Sequence, residues 1–165
     1  MATPPVIEGE RAAASVRVAI VAARFNDFIV ASLLEGALAA WARRGGAPER
    51  LLVARVPGAF ELPLAAHRLA ASGRFDAVVA LGCVIRGDTP HFDFVAGECA
   101  RGIARASLDC GVPVIFGVLT VETVDQALER AATTGANKGG EALDCALEMA
   151  NLLARPQFAA PSSDT

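Results

Sequence analysis

The residues best suited to chemistry lie in one stretch, residues 81–95, LGCVIRGDTPHFDFV. An apolar run breaks there at Arg86-Gly87 and restarts as a helix carrying His91, one of two histidines in the chain. Residues 77–85 (AVVALGCVI) are continuously apolar and rich in β-branched types, as expected of a strand buried on both faces of a parallel sheet. The following helix takes Thr89 as N-cap and Pro90 as its first residue, where the missing proline N–H would have had no partner in any case. Phe92, Val95, Ala96, Cys99, Ile103 and Ala106 then recur at helical spacing. His91 therefore falls in the first turn. Backbone N–H groups and the positive end of the helix dipole converge at Gly87, Asp88 and Thr89, forming a cradle for an anion such as phosphate. An imidazole beside a bound substrate can take a proton and return it. One histidine and one glycine after a strand also describe an ordinary turn, so the reading depends on what else reaches this place.

The flanking elements supply that company. Residues 16–22 (VRVAIVA) read as the first strand, and Asn26 is a good N-cap for the next helix. That helix carries an apolar stripe of Val30, Leu33, Leu34, Ala37, Leu38 and Trp41 and ends at Gly45-Gly46. Residues 51–56 (LLVARV) form the second strand, and the turn 57–61 leads into a helix starting near Pro63 that buries Leu62, Ala65, Ala66 and Leu69. His67 within it faces no recognisable partner and reads as a surface or structural histidine. Residues 112–119 (VPVIFGVL) form the fourth strand. Thr123 to Gln126 has the form of a capping box, opening a short helix through Arg130, and a final helix spans residues 140–153. Residues 1–15 read as an arm, 16–154 as a single domain and 155–165 as an unstructured tail.

Strand and helix alternate with helix-length crossovers, which predicts an α/β fold: a three-layer αβα sandwich on a four-stranded parallel sheet, flavodoxin-like in architecture. Ligands of such sheets bind at the carboxyl ends of the strands. That rule gathers Phe25, Ala59, Phe60, Glu61 and residues 83–91, whereas Phe116 lies within the fourth strand. Phe25 and Phe60 either present aromatic faces to a planar ligand or are core residues. Glu61 either accepts hydrogen bonds from hydroxyls or is an exposed helix-entry glutamate. Arg130 stands in a last helical turn, where a cation already complements the dipole. The Asp88 carboxylate would repel a phosphate, so it is expected to contribute its backbone N–H while its side chain points away or caps.

At 165 residues the chain suits one domain, and 53% hydrophobic with 20% charged residues reads as globular. A net charge of -3 with no Lys/Arg block argues against nucleic-acid binding. No apolar run is long enough to span a bilayer and the first residues lack a signal pattern, so cytoplasm is the expected compartment. Cys83, Cys99, Cys110 and Cys145 are widely spaced and read as small buried hydrophobes rather than disulfide or metal ligands. Neither G-x-G-x-x-G nor G-x-x-x-x-G-K occurs after the first strand, which disfavours dinucleotide and P-loop sites.

From Val16 to Leu153 the sequence resembles the 6,7-dimethyl-8-ribityllumazine synthase family. The matching blocks are ARFND (23–27), VPGAFELP (56–63), LGCVIRGDTPHFDFV (81–95), VPVIFGVLT (112–120), ALERA (127–131) and ANKGGEA (136–142). The resemblance implies condensation of 5-amino-6-(D-ribitylamino)uracil with 3,4-dihydroxy-2-butanone 4-phosphate, without a cofactor, in riboflavin biosynthesis. Carried over, Phe25 stacks on the pyrimidine, Ala59, Phe60 and Glu61 hold the ribityl chain, and Cys83, Val84 and Ile85 meet the uracil edge through their backbone. Asp88 and Thr89 hold the phosphate, assisted by Arg130 of a neighbouring subunit that also lends Phe116; Lys138 is a further candidate there. His91 is the general acid/base. The resemblance also implies homopentamers, either free or assembled by twelves into an icosahedral shell, and a functional association with riboflavin synthase. No insertion is evident in residues 132–139, which favours the shell. Asp88 and Thr134-Gly135-Ala136 depart from common family variants, touching phosphate binding and assembly. The competing readings are a flavin or lumazine storage shell and an FMN-binding flavodoxin-like domain; Arg24-Phe25-Asn26 makes a poor phosphate loop for the latter.

Overall fold

In the computed structural model, which describes residues 1–159, the apolar runs become β1 (Val18–Ala23), β2 (Leu51–Val56), β3 (Ala77–Ile85) and β4 (Val114–Val121). All pairings are parallel and the order is β2-β1-β3-β4. The interior strands are the most apolar: β1 is buried along its length and β3 over its first seven residues. β2, at one edge, has only half-buried and exposed positions.

Among the described residues five α-helices cover the sheet: α1 (Asp27–Arg43), α2 (Leu62–Ala71), α3 (His91–Cys110), α4 (Val124–Ala131) and α5 (Lys138–Leu153). The strand period of two divides the core between the faces. Val18, Ile20 and Ala22 pack with α1, α4 and α5, while Ala19, Val21 and Ala23 pack with α2 and α3. Three layers result, as the alternation of elements requires. No helix among the described residues is long and apolar enough to cross a membrane.

The boundaries of β2 and β3 fall where the sequence pattern ends; other expectations shift for local reasons. β4 begins at Val114 and runs on through Val121, in register with Ile85 of β3. α5 begins at Lys138 because the Asn137 side chain accepts hydrogen bonds from the Gly139 and Gly140 amides. The capping box forms as Thr123 Oγ1 accepts from Gln126 N (3.2 Å), but the returning Gln126 Oε1 meets the amide of Glu122 (2.9 Å), one residue earlier than expected. α3 starts at His91 with Pro90 as its cap, not with Thr89, although the Thr89 hydroxyl still accepts from His91 N at 3.4 Å. Asn26 is not a side-chain cap for α1: it makes no capping bond and has left-handed backbone angles.

The N-terminal arm has no helix or strand, yet it is held to its own chain. Asn151 Nδ2 donates to the carbonyls of Glu10 (2.8 Å) and Ala12 (3.0 Å), and Arg11 pairs with Glu148 (3.0 Å). After α5, Pro156–Phe158 makes a single 3₁₀ turn, and residues 160–165 of the expected tail lie outside the described residues. The four cysteines are free; Cys83 and Cys99 are buried, but Cys145 is exposed on α5 and departs from the buried-hydrophobe expectation.

Candidate active site

Three strand-to-helix turns at the carboxyl edge of the sheet surround one cleft of about 400 Å³. The β1–α1 turn brings Phe25 and Asn26, and the β2–α2 turn brings Gly58, Ala59, Phe60 and Glu61. β3 and the start of α3 supply Cys83, Val84, Ile85, Gly87, Thr89 and His91. Phe25 is 73% exposed and Phe60 58%, which excludes the core reading for both. They are aromatic faces held at the rim of an open cleft, where ligand burial is available to them.

Each wall has a local cause. Phe25 N donates to Pro57 O (2.9 Å) and Arg24 N to Val56 O (2.8 Å), so the chain beyond β1 stays tied to β2. A 3₁₀ turn at Ala59–Glu61 runs directly into α2 and leaves the Glu61 carboxylate beside Gly58, where a Cβ would lie 3.2 Å from Oε2. On β3, Arg86 N donates to Val121 O (2.9 Å), so the backbone groups of Arg86 face β4 and those of Ile85, one residue earlier, face the cleft side.

The turn after β3 is clamped at both ends. Arg86 Nε pairs with Glu122 (2.8 Å), its Nη2 with Asp93 (3.3 Å), and its guanidinium lies 4.3 Å from the centroid of the Phe92 ring. Hydrogen bonding to Asp93, outweighing partial burial, raises its pKa above the ordinary arginine value. Arg86 is thus engaged in holding the first turn of α3 to the ends of β3 and β4. Two first-turn amides are also engaged: His91 N with Thr89 Oγ1 and Asp93 N with Pro90 O (3.0 Å). The helix start keeps its dipole but offers fewer free N–H groups than the sequence suggests. Asp88 is exposed and does not line the cleft, whereas Gly87 and Thr89 do.

Burial pushes the Cys83 thiol up to about 11, so at neutral pH it is protonated and a poor nucleophile. Cys83 lines the cleft as part of the strand. Among the described residues, no group of three or more His, Cys, Asp or Glu is placed to hold a metal ion.

Phe116 and Arg130 lie elsewhere. They line a separate groove of about 410 Å³ along the open flank of β4, together with Lys138 and Glu141. Arg130 Nη1 donates to Gln126 O (3.0 Å) and Lys138 Nζ pairs with Glu141 (2.6 Å). Within one chain the nominated residues thus form two groups on different surfaces. Sequence reasoning missed Asn26, taken as a cap, and Phe92 and Val95, taken as core stripe; all three line the cleft. Their nearness to Phe25 and His91 in the chain was the available signal.

A parallel sheet covered on both sides, with aromatic rims, backbone edges and a helix start around a carboxyl-edge cleft, defines an α/β protein whose cleft lies where such sheets take their ligands. The family model for 6,7-dimethyl-8-ribityllumazine synthase matches residues 15–154 of the chain. The chain belongs to this family, and with it to the enzymes of riboflavin biosynthesis.

Proposed function

We propose that the protein is a transferase condensing 5-amino-6-(D-ribitylamino)uracil with 3,4-dihydroxy-2-butanone 4-phosphate to 6,7-dimethyl-8-ribityllumazine, releasing phosphate and water. The observation that carries this reading is the assembly of Phe25, residues 59–61, residues 83–85, Thr89 and His91 around one cleft. Phe25 stacks on the pyrimidine, the 83–85 backbone meets its edge, and Ala59, Phe60 and Glu61 take the ribityl hydroxyls. The phosphate sits at the Gly87 to Thr89 turn, with the Asp88 carboxylate outside the cleft.

The ring amine attacks the ketone and loses water to give an imine. Phosphate then leaves, and the ribitylamino nitrogen closes the second ring with loss of water. His91 carries protons between these steps. Amine and ketone are intrinsically reactive, so much of the acceleration comes from holding both substrates in register.

The separation of Phe116, Arg130 and Lys138 from the cleft supports a site shared between copies. One subunit supplies the cleft and the next supplies the β4 flank, bringing cations to the phosphate. Such head-to-tail contacts close into rings, here a pentamer, which further assembles into an icosahedral shell that associates with riboflavin synthase in the cytoplasm. The test is optical: purified protein is mixed with both substrates and lumazine formation is followed against the uncatalysed background. Acceleration that falls in His91→Ala and Arg130→Ala supports the reading. No acceleration, with tight flavin or lumazine binding, turns it toward a carrier.

A further inference from the structure

Asn26 is the one described residue other than glycine with a positive φ, at φ 58° and ψ 45°. Left-handed backbone costs an L-residue roughly 1–2 kcal/mol, least for Asn and Asp. A capping asparagine sits in the extended region and bonds to the helix start, whereas Asn26 is left-handed and its side chain caps nothing. Its Nδ2 instead donates to the carbonyl of Cys83 at 2.8 Å, on the wall of the cleft.

The register explains why this carbonyl is available. β1 and β3 pair only as far as Ala22↔Leu81. Two residues further on, the Cys83 carbonyl faces the side that β1 has left, and the Asn26 amide fills that place. Across the turn, the amides of Arg24 and Phe25 remain bonded to β2 at Val56 and Pro57. Phe25 therefore stands on a turn pinned to β2 by backbone and to β3 by the side chain of Asn26.

We propose that Asn26 is a positioning residue for pyrimidine binding: its bond to the Cys83 carbonyl sets the spacing between the Phe25 ring and the main-chain N–H and C=O of Ile85. Ile85 presents those groups on the same side of β3 as Cys83, one alternate residue further along, where a heteroaromatic ring edge carrying both donors and acceptors would meet them. This rests on the function proposed above. Asn26 acts through the Cys83 carbonyl rather than on a reacting atom. It therefore governs binding of the pyrimidine and not of the phosphate-bearing substrate.

Asn26→Gly keeps the left-handed backbone without strain and removes only the side-chain bond. Asn26→Asp also tolerates this backbone but sets an acceptor against a carbonyl. Steady-state kinetics with each substrate varied, a fluorescence titration with the lumazine product, and thermal melts would be run on both variants beside the wild type. In Asn26→Gly the pyrimidine KM and the product Kd should rise about tenfold, the worth of one hydrogen bond in a binding site. The KM for the phosphate-bearing substrate should stay within about twofold, since its contacts are separate. Asn26→Asp should bind pyrimidine more weakly still. Unchanged pyrimidine KM and product Kd in Asn26→Gly, equal rises for both substrates, or a lowered melting temperature alone would overturn the inference while leaving an active wild type, and so the proposed function, intact. A wild type that forms no lumazine would overturn both.

Discussion

His91 is the first residue of α3, at the mouth of a cleft whose other walls are aromatic rims and strand backbone. Its proposed task is proton transfer between reactants that already react slowly by themselves, so its removal should slow the reaction without ending it. His91→Ala should lower kcat about a hundredfold, the low end for general acid–base catalysis, with residual turnover above background and little change in either KM. Full kcat in that variant would remove His91 from the mechanism. Cys83 gives the opposite expectation. Its thiol is protonated at neutral pH and its place in the cleft comes from the strand, so Cys83→Ala should keep kcat within about twofold in the same assay. A large loss would give the sulfur a role that its burial argues against. The histidine was legible in the sequence because the break from strand to helix is a local pattern. The faces of Phe25 and Phe60 were not: an aromatic after a strand fits core or rim equally, and only tertiary packing decides.

At the scale of elements, the sequence places strands best where burial is complete. Residues 77–85 are apolar without interruption, and β3 has those bounds. Legibility fails where a side chain replaces backbone. Asn26 looks like a cap from sequence because the bond it makes reaches 57 residues ahead. Asn137 is similar. The glycines after it interrupt the apolar stripe and hide the start of α5, yet Asn137 is buried and fully bonded. Its Nδ2 donates to Ser32 O (3.0 Å) and Ala131 O (2.8 Å), while its Oδ1 accepts from Gly139 N (2.8 Å) and Gly140 N (3.1 Å). α1 makes room for it at Gly36, where a Cβ would lie 2.0 Å from Asn137 Oδ1, and α5 approaches α1 closely at Gly139, where a Cβ would lie 1.9 Å from Leu33 O. Asn137 thereby joins α1, the end of α4 and the start of α5, the two helix ends that carry Arg130 and Lys138. Asn137→Ala would orphan several of these groups and should cost about 2–4 kcal/mol in chemical denaturation, the sum expected for a lost cap and unpaired buried carbonyls. A loss under about 0.5 kcal/mol, the level of an ordinary surface change, would show that the helices hold together without it.

Over the whole molecule, α5 collects the arm and the end of α1. Arg44 forms a two-pronged pair with Asp144 (2.9 Å for each bond), and Arg11 reaches the same carboxylate at 3.9 Å. The hydrogen bonds from Arg44, outweighing partial burial, hold Asp144 below the ordinary carboxylate pKa. A depressed folded pKa means stability present in full above the unfolded value, about 4, and lost as pH falls through the folded one. Asp144→Asn should therefore cost about 1 kcal/mol at pH 7 and flatten the loss of melting temperature in acid; melting temperatures of variant and wild type that fall in parallel as the pH is lowered would refute the linkage. The chain also has two surfaces that one copy does not unite, the cleft with His91 and the β4 flank with Arg130. If a site draws the first from one subunit and the second from the next, His91→Ala and Arg130→Ala chains damage different halves. Unfolding the two variants together and refolding them at equal amounts would assemble mixed rings, in which about one site in four receives an intact cleft and an intact flank. The mixture should then reach about a quarter of wild-type turnover, well above either variant refolded alone. If each chain serves its own site, every site in the mixture remains damaged and mixing restores nothing, an outcome that would return Arg130 to a purely structural place at the end of α4.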